Sequence, residues 1–257
     1  MRRVVVISDI QAPLHDKKMV EAVTLAVKGM KLGSDDLVAV VGDECDSTSL
    51  GRWVRGRAQE YTDNLQVALD TTHNIIKGFR EAAPKTPIIV QRSNHTTDRI
   101  QNYVNKHAPA LAPLRGLDWA SLMRYDEIDV QLRLWPTPIA PGWLMAHGDE
   151  LSGSSRIAGG LAMGLSRRFG KSVVCGHSHK AGIQHDHDSH SGKITRYLFG
   201  MEVGSLMSLP KAQYLKSGGA NWTHGFGVLY QHGNHVTPNL VPIVNRGFTL
   251  EGKHHSW

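Results

Sequence analysis

Residues 2–13 read Arg-Arg-Val-Val-Val-Ile-Ser-Asp-Ile-Gln-Ala-Pro. Val4, Val5, Val6 and Ile7 are consecutive β-branched residues. Such residues favour the pleated backbone, and an unbroken apolar run suits a strand covered on both faces. The run stops at Ser8 and Asp9. A first strand is therefore expected over residues 3–8, with an acid at its carboxyl end. The two arginines before an apolar run resemble an export signal. The run is too short for the apolar stretch of such a signal, and no cleavage site follows.

The same construction recurs outward from this stretch. Asp16 is placed to cap a helix carrying Val20, Val23, Leu25 and Val27, with Gly33 near its end. A second buried strand is expected over 37–41, stopping at Gly42-Asp43. Residues 61–80 follow as a long amphipathic helix, and 88–90 as a third strand stopping at Ser93-Asn94-His95. Alternating strands and helices predict a largely parallel sheet, whose function gathers beyond the carboxyl ends of its strands. Further on, 128–134 alternates, 143–146 ends at His147, and 172–175 ends at Gly176-His177-Ser178-His179. Residues 154–169 read as a helix, and 194–199, 227–230 and 236–244 as further sheet. With no repeat or linker, the chain reads as one domain over 1–257, with a helical insertion at 101–123.

Charged residues at 20% and hydrophobic ones at 40% are ordinary for a folded domain and argue against disorder. A net charge of +6 with histidines neutral favours anionic partners such as nucleotides, phosphate esters or nucleic acid, though a merely solvated basic surface explains it equally. Two cysteines, Cys45 and Cys175, cannot build a disulfide framework or a four-cysteine zinc site. Buried free thiols in a reducing cytoplasm are expected, with no membrane span.

Five strand ends thus offer carboxylate, amide and imidazole groups, the donors that divalent cations of phosphoester chemistry prefer. Asp9 and Gln11 are two apart, as are His177 and His179, so extended backbone would aim each pair to one side. Two cations sharing a carboxylate can clamp the attacking and leaving oxygens of a phosphate and activate water.

In order, the blocks are Asp9-Ile10-Gln11, Gly42-Asp43-Glu44-Cys45-Asp46, Ser93-Asn94-His95, His147, and Gly176-His177-Ser178-His179. Together they resemble the motif series of the calcineurin-like metallophosphoesterases: Asp-x-His, Gly-Asp-x-x-Asp, Gly-Asn-His, a lone His, and Gly-His-x-His. The resemblance spans Asp9 to His179 and implies an α/β fold, a four-layer α/β/β/α sandwich. It implies Asp9, Gln11 and His179 on one metal, Asn94, His147 and His177 on the other, and Asp43 between them. His95 would serve the leaving oxygen, with Asp46 orienting it. Two positions depart from the pattern. Ser93 stands for Gly, and Gln11 for His. A neutral amide is a weaker donor than imidazole to a transition metal but still accepts a hard cation such as Mn²⁺ or Mg²⁺. Two Mn²⁺ ions are therefore expected, with Mg²⁺, Fe²⁺ or Zn²⁺ as alternatives, held less tightly on the Asp9/Gln11 side. The Asp-x-Gln variant resembles phage-encoded members.

The expected substrate is a small nucleotide phosphodiester, cyclic nucleotides included. A DNA or RNA nuclease is the alternative, and a metal-dependent phosphate-binding module without turnover is the third reading. Other polar residues receive structural readings. His15 is expected in solvent, His185–His190 at a hairpin tip, and His254-His255 in a tail. Arg156, Arg167, Arg168 and Lys171 are expected on a solvated helix face. Trp135, Trp143 and Trp222 are expected in core rather than against a base.

Overall fold

Val4 to Ile7 lie in the first strand, β1 (Arg2–Ile7), which is paired on both edges and covered on both faces. The computed structural model describes residues 1–51, 54–56, 58, 64–153, 155–212 and 221–257. Three parallel partners extend the sheet on one side: β2 (Leu37–Val40), β3 (Ile88–Gln91) and β4 (Val130–Arg133). On the other side β10 (His224–His232) runs antiparallel to β1, and β11 (His235–Ile243) antiparallel to β10. The order is β11-β10-β1-β2-β3-β4. A second sheet, in the order β5-β6-β7-β9-β8, is built from β5 (Thr137–Ala140), β6 (Trp143–Met145), β7 (Ser172–Cys175), β8 (Ala181–His190) and β9 (Lys193–Val203). A separate ribbon pairs β12 (Gly247–Leu250) with β13 (Lys253–Ser256).

Side-chain alternation decides the layers. Val4, Val6, Leu37, Ala39 and Ile89 point to the second sheet, where Trp143, Met145, Val174 and Met201 meet them in one core. Val5, Ile7, Val38, Val40 and Val90 point the other way, under two helices. The helices are α1 (Lys17–Met30), through Val20, Val23 and Val27, and α2 (Leu65–Ala82), through Leu69, Ile76 and Phe79. On the outer face of the second sheet, Leu161 and Leu165 of α5 (Gly160–Phe169) cover Val173 and Cys175. Each fully buried aliphatic side chain contributes about 1.5–3 kcal/mol. The result is the four-layer α/β/β/α sandwich, and both cysteines are free and buried in it.

Asp16 caps α1, accepting from Met19 N at 3.1 Å, and the helix ends at Lys31 in the left-handed region (φ 51°). The helix expected over 61–80 is seen as 65–82, and residues 61–63 lie outside the described residues. The one expected over 154–169 begins only at Gly160, and Ser154 lies outside them. Residues 125–128 form a 3-10 turn, so the alternating strand starts at Val130.

The 101–123 region contains the end of α3 (Thr97–His107), a 3-10 turn at 109–111 and the short α4 (Trp119–Leu122). Its far end is anchored: Trp119 Nε1 and Tyr125 Oη donate to the buried Glu44 at 2.6 and 2.9 Å. Several structural readings change. Arg156 and Lys171 flank α5 rather than lying on it. His15 is buried, because it bridges to Met207. The run from His185 to His190 lies along β8 rather than at the tip, and the turn is Ser191-Gly192. His254 and His255 belong to β13, where His255 stacks on Phe248 at 4.9 Å.

Candidate metal centre and adjoining cleft

Beyond the ends of β1 and β2 the chain keeps pairing. Gln11 N donates to Asp43 O at 2.9 Å, and Ala12 N to Glu44 O at 3.0 Å. The two loops are thereby held side by side, with Asp9, Gln11 and Asp43 along the seam. The second sheet contributes from the opposite side. His147 follows β6 and His177 follows β7, and Gly176 N donates to His147 O at 3.0 Å.

Five of the site residues adopt left-handed backbone: Asp9 (φ 50°), Gln11 (54°), Asp43 (50°), His177 (65°) and His179 (56°). For side chains with a Cβ this conformation costs on the order of 1–3 kcal/mol each, and it persists where surrounding structure dictates it. It also corrects the extended geometry expected for the two-apart pairs. Gly42 (φ 84°) makes the approach possible: a Cβ there would stand 2.6 Å from His147 Nδ1 and 2.7 Å from Ser93 Cβ.

The side chains converge in two groups that share Asp43. In one, Asp43, His147 and His177 each present a ligand atom within 4.8 Å of the others, and in the other Asp9, Asp43 and His179 do so. Asn94 adjoins the first group, its Oδ1 3.0 Å from His147 Nε2. Gln11 adjoins the second, its Nε2 donating to Asp43 Oδ2 at 3.0 Å and standing 3.5 Å from His179 Nε2. Its Oε1 is buried without a hydrogen-bond partner among the described residues, as is His179 Nδ1. Ligation by Gln11 would require its amide to turn and bring Oε1 to the cation.

These contacts leave a deficit of positive charge. His147 Nδ1 lies 2.8 Å from Val41 O, so it carries a hydrogen and donates. In the neutral ring Nε2 is then a lone pair, yet it faces Asn94 Oδ1 at 3.0 Å and Asp43 Oδ1 at 3.4 Å. Lone pairs converging on one point call for a proton or a metal ion. Burial disfavours a charged His147, but Asp43 and Asp9 outweigh it and push the pKa up to about 10. His179 is raised in the same way by Asp9, 3.1 Å away. Asp43 is held well below the usual carboxylate range: burial opposes this, and the facing His147 and His95 overcome it. Protons on His147 and His179 thus take the place that a cation would fill, whereas burial and the neighbouring His147 lower the pKa of His177, and the donor set fits divalent ions.

His95 and Asp46 lie on the flank. His95 N donates to Asp43 Oδ1 at 3.2 Å, and His95 Nδ1 stands 3.3 Å from Asp46 Oδ1. Sequence reasoning missed several supports. Arg99 on α3 reaches Asp46 Oδ1 at 2.6 Å. Ser93, noted only as a departure from the motif, accepts from Asp43 N at 2.9 Å. Glu150 accepts from His147 N and Gly148 N at 3.2 and 2.7 Å. Trp222 packs on His179 with ring centroids 4.2 Å apart, whereas Trp143 is core and Trp135 is 79% exposed. Only Ser93 and Glu150, beside motif residues, carried a local signal.

Next to Asn94 and His95 opens a cleft of about 430 Å³, lined by Arg55, Arg99, Tyr103, Lys106 and His107 among others. No acid is among its described lining residues.

Sandwich and site together define a class: an α/β/β/α protein whose strand ends gather two acid–imidazole groups able to hold metal ions around a shared aspartate. The chain belongs to the family of the mycobacteriophage Gene 54 proteins. It is 35% identical over 260 residues to Gene 54 protein of Mycobacterium phage D29, covering 100% of this chain and 98% of that protein. It is 34% identical over 257 residues to Gene 54 protein of Mycobacterium phage L5, covering 98% of each. No family model matches the chain. Among solved structures it is similar to Vps29 of Entamoeba histolytica complexed with Zn²⁺ (TM-score 0.49, 13% identity, 96% of each chain). It is also similar to Vps29 of Chaetomium thermophilum (TM-score 0.48, 10% identity, 100% of this chain and 99% of that one). Among the described residues no helix is long and apolar enough to cross a membrane.

Proposed function

We propose that the chain is a calcineurin-like metallophosphoesterase that hydrolyses nucleotide phosphodiesters in the host cytoplasm, with all 257 residues working as one domain. The observation that carries this reading is the pair of acid–imidazole groups sharing Asp43, with His95 and Asp46 beside them. Asp9, Gln11 and His179 would hold one cation and Asn94, His147 and His177 the other, with Asp43 available to both groups. Mn²⁺ is the preferred ion, since the set mixes carboxylate, amide and imidazole donors. When bound, the cations polarise the phosphate and activate water.

The chain's own groups do the rest. His95 holds a proton for the leaving oxygen. Asp46 orients the His95 ring, and Arg99 fixes Asp46. A pure binding site has no use for an oriented acid, which favours turnover. Small nucleotides, cyclic ones included, are the first substrate class. The cationic lining of the adjoining cleft favours a second reading, a nuclease. Hydrolysis of bis(p-nitrophenyl) phosphate by metal-stripped protein, before and after Mn²⁺ addition, tests the reading. Activity that appears only with metal supports it, and inactivity with Mn²⁺, Mg²⁺, Fe²⁺ and Zn²⁺ overturns it.

A further inference from the structure

The cleft beside His95 is built by one face of α3. Arg99, Asn102, Tyr103, Lys106 and His107 follow each other at helical spacing, so their side chains share that face, while Ile100 and Val104 pack into the core. Arg55 closes the opposite wall, its Nη2 against His107 Nε2. Of the three lining cations, Arg99 is occupied by Asp46. Arg55 and Lys106 are exposed, and neither has a carboxylate partner among the described residues. Tyr103 and His107 form a small aromatic surface between them, ring centroids 4.9 Å apart. Cations without acids beside an aromatic surface suit a charged backbone carrying flat bases, the chemistry of a single nucleic-acid strand. The volume lies within the ~300–1,000 Å³ of small-ligand sites.

We propose that this cleft binds the leaving-side nucleotide of a single-stranded nucleic acid, with its next phosphate on Arg55 and Lys106 and its base against Tyr103. The proposal rests on the phosphodiesterase reading and narrows its substrate. In hydrolysis, water oxygen bonds to phosphorus and the bond from phosphorus to the leaving oxygen breaks. That oxygen takes a proton from His95, and the proton lost by water passes to solvent, from which His95 is reprotonated. His95 therefore marks the leaving side, and it lines the same cleft. A cyclic mononucleotide has no further phosphate to place there, whereas an oligonucleotide has.

The test uses full-length protein and the variants Arg55→Gln, Lys106→Gln and their double. Probes are fluorescent ten-residue oligothymidylate and oligouridylate, which separate DNA from RNA, with bis(p-nitrophenyl) phosphate as reference. In Mn²⁺, the ratio of kcat/KM for the oligonucleotide to that for the reference should fall about tenfold for each single variant, as for one lost charge-assisted contact. Without metal, oligonucleotide binding by fluorescence anisotropy should weaken. The slope of log affinity against log salt should shrink by about 0.7 in the double variant, for the one single-strand phosphate that both cations contact. An unchanged ratio together with an unchanged slope overturns the proposal. If the wild type hydrolyses neither substrate, the proposed function fails, and the anisotropy arm still decides the cleft. A reduced slope upholds it as a nucleic-acid site, and an unchanged one ends it.

Discussion

Arg99 Nη1 lies 2.6 Å from Asp46 Oδ1, the oxygen that His95 Nδ1 also faces at 3.3 Å. Asp46 is almost fully buried, and burial alone would raise its pKa; His95 and Arg99 overcome this and lower it. Replacing Arg99 by Met leaves that carboxylate with one partner and should cost about 1–3 kcal/mol at neutral pH. A carboxylate with depressed folded pKa stabilises above its unfolded value, 3.8 here, and loses that contribution as pH falls through the folded value. The difference between wild type and variant in urea unfolding should therefore be full at pH 7 and close below pH 3.8. Turnover should fall about 10–100-fold with metal content intact, and Arg99→Lys should recover part of it.

Asp43 and His95 should separate metal binding from turnover. Asp43 belongs to both acid–imidazole groups, whereas His95 touches the centre through its backbone N. Asp43→Ala should lose most bound metal and all measurable activity. His95→Ala should keep its metal and lose about 10²–10⁴-fold in kcat. Equal metal loss in both, measured by elemental analysis after gel filtration, would contradict the roles assigned.

Gln11 offers an amide where the family resemblance has imidazole, and its Nε2 now donates to Asp43 Oδ2. The cation on the Asp9 side should be the first removed by dialysis against a weak chelator. Gln11→His should retain it about tenfold more tightly in titration calorimetry with Mn²⁺. A wild type that keeps both ions equally would sink this expectation.

Burial pushes the Glu44 carboxyl up to about 7, against 4.5 in the unfolded chain. Between those values the folded protein holds a proton that the unfolded chain does not, so stability falls as pH rises from 4.5 to 7 and levels off above. Gln cannot ionise, and its Oε1 can still accept from Trp119 and Tyr125. In metal-free protein the stability gained by Glu44→Gln should be near zero at pH 4.5. It should rise to about 3 kcal/mol above pH 7, at about 1.4 kcal/mol per unit. A gain that does not vary with pH in denaturant melts would argue against the raised carboxyl.

How much was legible beforehand follows from the range of each interaction. Val4 to Ile7, Leu37 to Val40 and Ser172 to Cys175 declare themselves as strands because their neighbours are apolar, and a run of that kind needs no distant partner to be read. Polar residues directly after each run also mark the strand ends, so the five blocks and their order are local facts. β5 and the β12–β13 ribbon were missed because they are short and their apolar residues sparse.

By itself, then, the amino-acid sequence determined the alternating strand plan and the residue types waiting at the strand ends, since both depend on contacts within a few residues. Only the tertiary structure decided what meets there. Arg99 reaches Asp46 across 53 positions, and Tyr125 reaches Glu44 across 81. His15 is buried through its bridge to Met207, and Trp222 lies on His179. The left-handed backbone at Asp9, Gln11, Asp43, His177 and His179 has the same origin. Each is a choice an isolated segment would not make, because its cost is offset by packing between two sheets that are far apart in the chain.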